Sequence, residues 1–300
     1  MNLGLPIEIT DGDLLCVVGP TASRKTELAM RICERVGGEV VGADSVQVYT
    51  GFDIGSGKPT RDELTRVVHH LVGVVDPREP IDAARFAELA GDAVSGIRAR
   101  GKLPVVCGGA FLWVKALVYG LAKAPPASPE VRAQLDSERD RFGLDAMHRR
   151  MQAIDQSMAA RINPNDWVRV QRVLEVYYTS GKRLSDLHNE HTMAAPNYKP
   201  RFVGVRWEPS VLEARIRSRA KTWLESGWIE EVQQLIEQGL RNTRPMQSVG
   251  YRQVVDFLEG RIAADVLLDS ITRATKVFAR RQRTWLRDVG VCWLDRLSDE

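Results

Sequence analysis

Leu14-Leu15-Cys16-Val17-Val18 runs directly into Gly19-Pro20-Thr21-Ala22-Ser23-Arg24-Lys25-Thr26. That junction decides the fold. The unbroken apolar run reads as a strand buried on both faces. The loop behind it follows the phosphate-binding pattern G-x-x-x-x-G-K-S/T, with Arg24 in place of the second glycine. In such a loop, backbone N–H groups and a helix N-terminus face a polyphosphate, the lysine neutralises it, and the threonine hydroxyl can hold Mg²⁺. The pattern says that phosphate is bound. It does not choose among kinase, ATPase and transferase.

Outward from this junction, strand and helix alternate. Leu28, Ala29, Ile32, Cys33 and Val36 fall at helical spacing over Thr26–Val36, and Gly37-Gly38 ends that helix with a residue suited to a left-handed cap. Val40–Ala43 reads as a short buried strand ending at Asp44, and His70–Val75 as another. Ala83–Arg100 reads as a helix stopped by Gly101, Leu103–Cys107 as a strand running into Gly108-Gly109, and Phe111–Tyr119 as a helix. This rhythm implies an α/β fold: a P-loop core with a parallel sheet, helices on both faces, and ligands at the carboxyl ends of the strands. The loop Gly19–Thr26, Asp44 and Gly108-Gly109-Ala110 all fall at such ends. An aspartate there suits Mg²⁺ binding or general-base work and equally suits a turn cap, and the local sequence leaves both open.

Composition changes at Ala124-Pro125-Pro126-Ala127-Ser128-Pro129, a hinge-like linker in which Ser128 can cap and Pro129 suits a first helical turn. Helical patterning then continues to about His191, with Asn163 as cap of a helix carrying Val170, Val173, Leu174 and Tyr177 that ends at Gly181. Asn189–Pro200 is polar and irregular, and Phe202–Trp207 alternates like a strand rejoining the first sheet. The expected organisation is a P-loop core from residues 1–122 and 200–300, ending in basic helices, with 123–199 as a helical insertion domain. In the last third, Arg273, Lys276, Arg280, Arg281, Arg283 and Arg287 crowd one helix, with no acid before Asp288 and with Val277, Trp285 and Leu286 as its packing face. A solvated face is the common fate of a charged helix, but charge of a single sign repels itself and favours a polyanion, so contact with an RNA or DNA backbone is the expected reading. Val291–Leu294 reads as a last strand.

Over 300 residues, a 44% hydrophobic and 27% charged composition supports a sizeable core, and the net charge of +3 neither demands nor excludes nucleic acid. No apolar run reaches membrane-spanning length, and Met1–Glu8 lacks the segments of a signal peptide. Cys16, Cys33, Cys107 and Cys292 have neither metal nor redox spacing, so a reducing cytoplasm is the expected location, with Cys16 and Cys107 as buried thiols. His188 and His191 have no third ligand at metal spacing and read as a surface pair, and His69-His70 point apart.

The motifs in order resemble one family. They are Gly19-Pro20-Thr21-Ala22-Ser23-x-Lys25-Thr26, Ala43-Asp44-Ser45-x-Gln47-Val48-Tyr49, Asp53-Ile54-Gly55-Ser56-Gly57-Lys58-Pro59 and Gly108-Gly109. Leu174-Glu175-Val176, Ser180-Gly181-Lys182, Val249-Gly250-Tyr251-Arg252-Gln253 and Arg280-Arg281-Gln282-x-Thr284-Trp285-Leu286 follow. Order and spacing are similar to the tRNA dimethylallyltransferases, the IPP transferase family, over essentially the whole chain. The resemblance implies transfer of a dimethylallyl group from its diphosphate to N6 of adenosine 37 in the tRNA anticodon stem-loop, with Mg²⁺ and without ATP. Beside it, the expectation is a tRNA-modifying protein without a membrane partner, read as a monomer. Carried over by position, Asp44 matches the family's base. The loop residues Gly19, Thr21, Ala22, Ser23, Arg24, Lys25 and Thr26, with Ala110, match its diphosphate contacts, and Thr26 its Mg²⁺ contact. Expected tRNA contacts are Asp44, Ser45, Val46, Gln47, Arg132, Val168, Arg169, Val170, Gln171, Arg172, Gln247, Gly250, Tyr251, Arg252, Lys276, Arg280, Arg281 and Arg283.

Two positions depart from the family pattern: Arg24 stands where the family has glycine, and Ala110 where it has threonine. If position 24 needs a positive φ, the strain is roughly 1–2 kcal/mol. Ala110 cannot donate a hydroxyl hydrogen bond. Weakened transfer, an altered donor, and a tRNA-binding paralogue without catalysis are all open at this stage. A nucleotide or nucleoside kinase fits the loop but leaves the basic last third without a use. Adenylate prenyltransferases of hormone synthesis share the loop but have little use for the Arg280–Arg287 surface.

Overall fold

The computed structural model describes residues 8–10, 12–192, 196–287 and 289–295. Those residues form two compact units, Met1–Gly120 with Asn197–Glu300, and Leu121–Pro196. The first unit starts with β1 (Asp13–Val18), α1 (Lys25–Val36), β2 (Glu39–Ala43), α2 (Arg61–Arg66), β3 (His69–His70), α3 (Ala83–Ala99), β4 (Pro104–Gly108) and α4 (Phe111–Tyr119). The second contains α5 (Pro129–Phe142), α6 (Leu144–Ile154), α7 (Gln156–Ala159), α8 (Trp167–Ser180) and α9 (Leu184–Thr192). The chain then returns to the first unit with β5 (Lys199–Val205), α10 (Pro209–Glu225), α11 (Trp228–Glu237), α12 (Tyr251–Leu258), α13 (Ala264–Trp285) and β6 (Val291–Leu294).

The six strands pair in the order β3-β2-β4-β1-β5-β6, all parallel. Alternate residues of β1 feed two cores: Leu14, Cys16 and Val18 pack on one face, Leu15 and Val17 on the other. Burial on both faces is what a continuous apolar strand requires. Register fixes the functional rim. Val18 pairs with Gly108, and Gly108 pairs with Ala43. Gly19, Gly109 and Asp44 therefore leave three adjacent strands side by side. Gly108 is needed here, since a Cβ would lie 1.9 Å from the Ala43 carbonyl oxygen.

The insertion unit is a separate helical core of Leu135, Met147, Met151, Val170, Val173 and Leu174. Ser128 caps α5 through the Val131 N–H, with Pro129 in the first turn, and Gly181 ends α8 at φ 68°.

Several expectations are corrected. The strand expected at His70–Val75 is only His69–His70, because Leu71 and Gly73 take φ of 60° and 64°, outside the strand region. Val75 forms only an isolated parallel bridge with Tyr49, outside the six strands. Asp166, not Asn163, caps α8, while the Asn163 side chain accepts the Asn165 N–H in the preceding turn. Of the stretch 189–200, α9 reaches Thr192, β5 begins at Lys199, and 193–195 lie outside the described residues. On α13 the packing face is Leu267, Ile271, Ala279 and Gln282, with Leu286 at its end, whereas Val277 and Trp285 are exposed.

Candidate active site

The phosphate loop turns on two residues with positive φ, Ala22 at 65° and Arg24 at 62°. Arg24 is thus the N-cap of α1 in the left-handed region, where glycine would sit without strain. Its Nε lies 3.1 Å from Glu27. The first N–H to close an α1 bond is that of Leu28, onto Arg24 O. The N–H groups of the preceding turn therefore face outward from the helix end, as an anion site needs. Lys25 starts the helix half-buried, and burial lowers its pKa, with the Asp44 carboxylate opposing that shift. Thr26 bonds the buried thiol of Cys107, whose pKa burial raises to about 11.

Two helices from the far end of the sequence close over this loop. Arg215, Arg219 and Trp223 lie at four-residue spacing on α10. Arg215 donates to Ala22 O at 3.0 Å, and Arg219 donates to the Thr21 hydroxyl. The Arg215 guanidinium stacks on Trp207 at 4.7 Å, and that of Arg219 on Trp223 at 4.5 Å. Burial lowers the Arg219 pKa to about 10, while Asp44 favours its charge, so it remains a cation at neutral pH. From α13, Gln282 reaches the rim: its Oε1 accepts the Thr21 N–H at 2.8 Å and its Nε2 donates to Gly109 O at 3.0 Å.

Two cavities share the Arg219 wall. One, of about 410 Å³, is lined by Ser23, Arg24, Lys25, Thr26, Arg215 and Arg219. The larger, of about 470 Å³, is lined by Thr21, Asp44, Ser45, Val46, Ala110, Arg219, Gln247, Ser248 and Gln282. An apolar wall of Ile216, Ala220, Trp223, Ile271 and Phe278 completes it. Asp44 sits between the roles left open by its sequence. Its Oδ1 accepts the Val46 and Gln47 N–H groups at 2.9 and 3.3 Å, a turn cap, yet the residue also lines the cavity. Ala110 caps α4 without a side-chain bond, and its N–H donates to Ala43 O at 3.1 Å.

The expected RNA contacts divide sharply. Arg280, Arg281, Arg283 and Arg252 are exposed. Lys276 is ion-paired with Glu213. Gln47 is occupied with Ser56 O and Gly57 O at 3.0 and 2.8 Å. Gln247 lines the cavity, and Gly250 is a buried turn at φ 96°. Tyr251 is fully buried and gives its hydroxyl proton to Glu231, which also accepts the Asp53 and Ile54 N–H groups. In the insertion unit Val168 is exposed and Arg169 pairs with Asp166 at 3.4 Å. Val170 and Gln171 are buried, so their side chains belong to the interior rather than to the surface expected. Arg132 and Arg172 both bond the buried Glu175.

Sequence reasoning missed Arg219, Trp223 and Gln282 as site residues. The i, i+4, i+8 spacing of Arg215, Arg219 and Trp223 was a usable signal for a shared helix face. Gln282 stands inside the Arg280-Arg281-Gln282-x-Thr284-Trp285-Leu286 motif, but nothing local marked it as reaching the phosphate loop.

The family model described as IPP transferase matches residues 47–289, and one described as isopentenyl transferase matches 12–73. A tRNA dimethylallyltransferase of Sorangium cellulosum is 55% identical over 283 residues, 94% of this chain and 90% of that protein. A solved tRNA isopentenylpyrophosphate transferase of Bacillus halodurans matches with a TM-score of 0.70 and 33% identity, over 95% of this chain and 90% of that one. A eukaryotic dimethylallyltransferase solved acting on tRNA matches with a TM-score of 0.81 and 25% identity, over 96% of this chain and 75% of that one. With its phosphate loop, its parallel sheet and these matches along nearly its whole length, the chain belongs to the IPP transferase family of tRNA dimethylallyltransferases.

Proposed function

We propose that this chain transfers the dimethylallyl group of dimethylallyl diphosphate to N6 of adenosine 37 in tRNA. The observation that carries the reading is the paired cavity. A cationic cradle of Lys25, Arg215 and Arg219 adjoins an apolar-walled chamber that also holds Asp44. The diphosphate suits the cradle, and the prenyl group and the extruded adenine suit the chamber. In the transfer, the N6–C1 bond forms as the C1–O bond breaks. Diphosphate leaves with the electron pair, and the N6 proton passes to Asp44. Two backbone N–H groups hold Asp44 Oδ1, which leaves Oδ2 to accept that proton. Guanidinium, ammonium and loop N–H groups aimed at the leaving diphosphate stabilise charge that grows during the step.

Mg²⁺ fits this donor set. It binds through few protein oxygens together with substrate phosphates, and the Thr26 hydroxyl at the start of α1 is such an oxygen. Among the described residues no group of three His, Cys, Asp or Glu side chains could hold an ion alone. When bound, the ion neutralises diphosphate charge.

The RNA partner is supported by α13 and the turn that follows it, where Arg273, Arg280, Arg281, Arg283 and Arg287 are exposed and, among the described residues, have no carboxylate partner. No helix among the described residues is long and apolar enough to cross a membrane.

A second reading, a weakened or binding-only relative, is favoured by one observation: Arg24 occupies φ 62° where glycine would be unstrained. One experiment separates the two. Pure protein is incubated with unmodified tRNA, Mg²⁺ and dimethylallyl diphosphate, and the tRNA nucleosides are analysed by mass spectrometry beside the Arg24→Gly/Ala110→Thr variant. Prenylated adenosine at position 37 is expected. Product from the double variant alone supports the weakened reading, and product from neither overturns the transferase reading.

A further inference from the structure

Gln282 lies in the most basic stretch of the chain, between Arg281 and Arg283, yet it is buried while both neighbours are exposed. We propose that Gln282 is a positioning residue of the diphosphate cradle: from the helix that carries the exposed arginines, its amide sets the spacing between the phosphate loop and the β4–α4 loop. The inference rests on the reading of the cradle given above.

Three observations carry it. First, the amide works in both directions, accepting the Thr21 N–H at 2.8 Å and donating to Gly109 O at 3.0 Å. Of the side chains of that length only glutamine can do both at once; glutamate would set an oxygen against the Gly109 carbonyl. Second, Gly109 is shaped around it. A Cβ at Gly109 would lie 2.3 Å from Gln282 Nε2, and its next contacts are ordinary ones, Gln282 Cδ at 3.4 Å and Gly19 O at 3.6 Å. The missing side chain at Gly109 therefore makes room for one atom. Third, Thr21 is the residue whose hydroxyl accepts from Arg219. Holding the Thr21 backbone orients the hydroxyl that seats the buried guanidinium. The path runs from α13 through Gln282 and Thr21 to Arg219 on α10, so one chain of hydrogen bonds joins the helix of exposed arginines to the anion grip.

The test uses inorganic pyrophosphate with Mg²⁺ and an anticodon stem-loop as probes, on the full chain. Gln282→Met keeps length and apolar bulk but neither accepts nor donates. It should weaken pyrophosphate binding at least ~10-fold and raise KM for dimethylallyl diphosphate in proportion. Stem-loop affinity and melting temperature should stay close to the parent's. Gly109→Ala alone should reproduce that loss. In a Gln282→Ala background, Gly109→Ala should add less than about twofold, because the atom it strikes is gone. Parent-like pyrophosphate binding in Gln282→Met overturns the proposal. So do multiplicative losses in the double variant, and a parallel loss of both ligands with a fallen melting temperature, which would make Gln282 merely structural. Failure of the parent itself to bind pyrophosphate would strike the reading of the cradle, and is told apart because it needs no variant.

Discussion

Arg132 and Arg172 in the insertion unit and Arg280 and Arg283 on α13 share a residue type, and the sequence reading expected all four to contact tRNA, but their surroundings differ. Arg132 grips the buried Glu175 through two nitrogens, at 2.8 and 3.1 Å. Arg172 bonds the same carboxylate at 2.6 Å and Pro125 O at 2.7 Å. Burial alone would raise the Glu175 pKa, but the bonds from Arg132, Arg172 and the Ser128 N–H hold it below the ordinary carboxylate range. Arg280 and Arg283 have no such partner among the described residues and stand in solvent. The first pair has its charge largely neutralised by the fold, while the second keeps it available for a polyanion. The number of basic residues in a segment therefore says less than the carboxylates placed beside them.

The largest expected effect follows from Glu175→Ala. It would leave two guanidinium groups and the Ser128 N–H without that carboxylate; both arginines reach solvent and Arg172 keeps Pro125 O, which puts the loss at the low end for a buried pair broken from one side, about 3 kcal/mol. Thermal unfolding followed by circular dichroism should lose several degrees. An unchanged midpoint would mean that Arg132 and Arg172 are free cations after all, and the contrast with α13 would collapse.

Glu39 extends the contrast to the core unit, where the buried carboxylate meets Arg100, His70 and Lys102. Burial pushes its pKa up, but these three bonds hold it at about 2, against an ordinary 4.5. The folded-state pKa is depressed, so the stabilisation is fully present above pH 4.5 and is lost as pH falls towards 2. Glu39→Gln should cost on the order of 2–3 kcal/mol at neutral pH and flatten the acid limb of the stability curve. Parallel pH–stability curves for parent and variant would contradict this.

The smallest effect on stability, but a direct one on partner binding, is expected from Arg280→Ala with Arg283→Ala. Exposed positions of this kind change stability by ~0.5 kcal/mol or less. Stem-loop affinity should fall, and the log–log salt slope should drop by roughly one unit for each phosphate no longer neutralised. An unchanged slope would move the RNA footprint off α13.

These contrasts also mark how far the sequence can be read. The phosphate loop, the strand ends at Asp44 and Gly109, and the ends of β6 and α4 are legible because each rests on local pattern: apolar runs, glycine caps, a motif. The strand reading of His70–Val75 fails because alternation of residue types does not report the positive φ at Leu71. Val277 and Trp285 read as packing residues because their side chains are apolar, although α13 turns its other face inward. The contacts of Arg219 and Gln282 are out of reach for a different reason. Each meets Thr21 from far along the chain, at sequence separations of 198 and 261. Only the pairing of β5 beside β1 brings α10 and α13 over the loop, and no residue near either one records it.

The transferase reading requires two adjoining cavities to act together, the chamber stripping a proton from the nucleophile with Asp44 as the base while the cradle takes the leaving diphosphate. Asp44→Asn probes that requirement with the least disturbance, because the amide keeps the size of the side chain and an oxygen for the Val46 and Gln47 N–H groups but cannot take a proton. Single-turnover prenylation with saturating donor is measured beside stem-loop affinity at the same salt. The transfer rate should fall at least ~10²-fold, with affinity changed by less than about twofold. Transfer at the parent rate would contradict the assignment of Asp44 as the base.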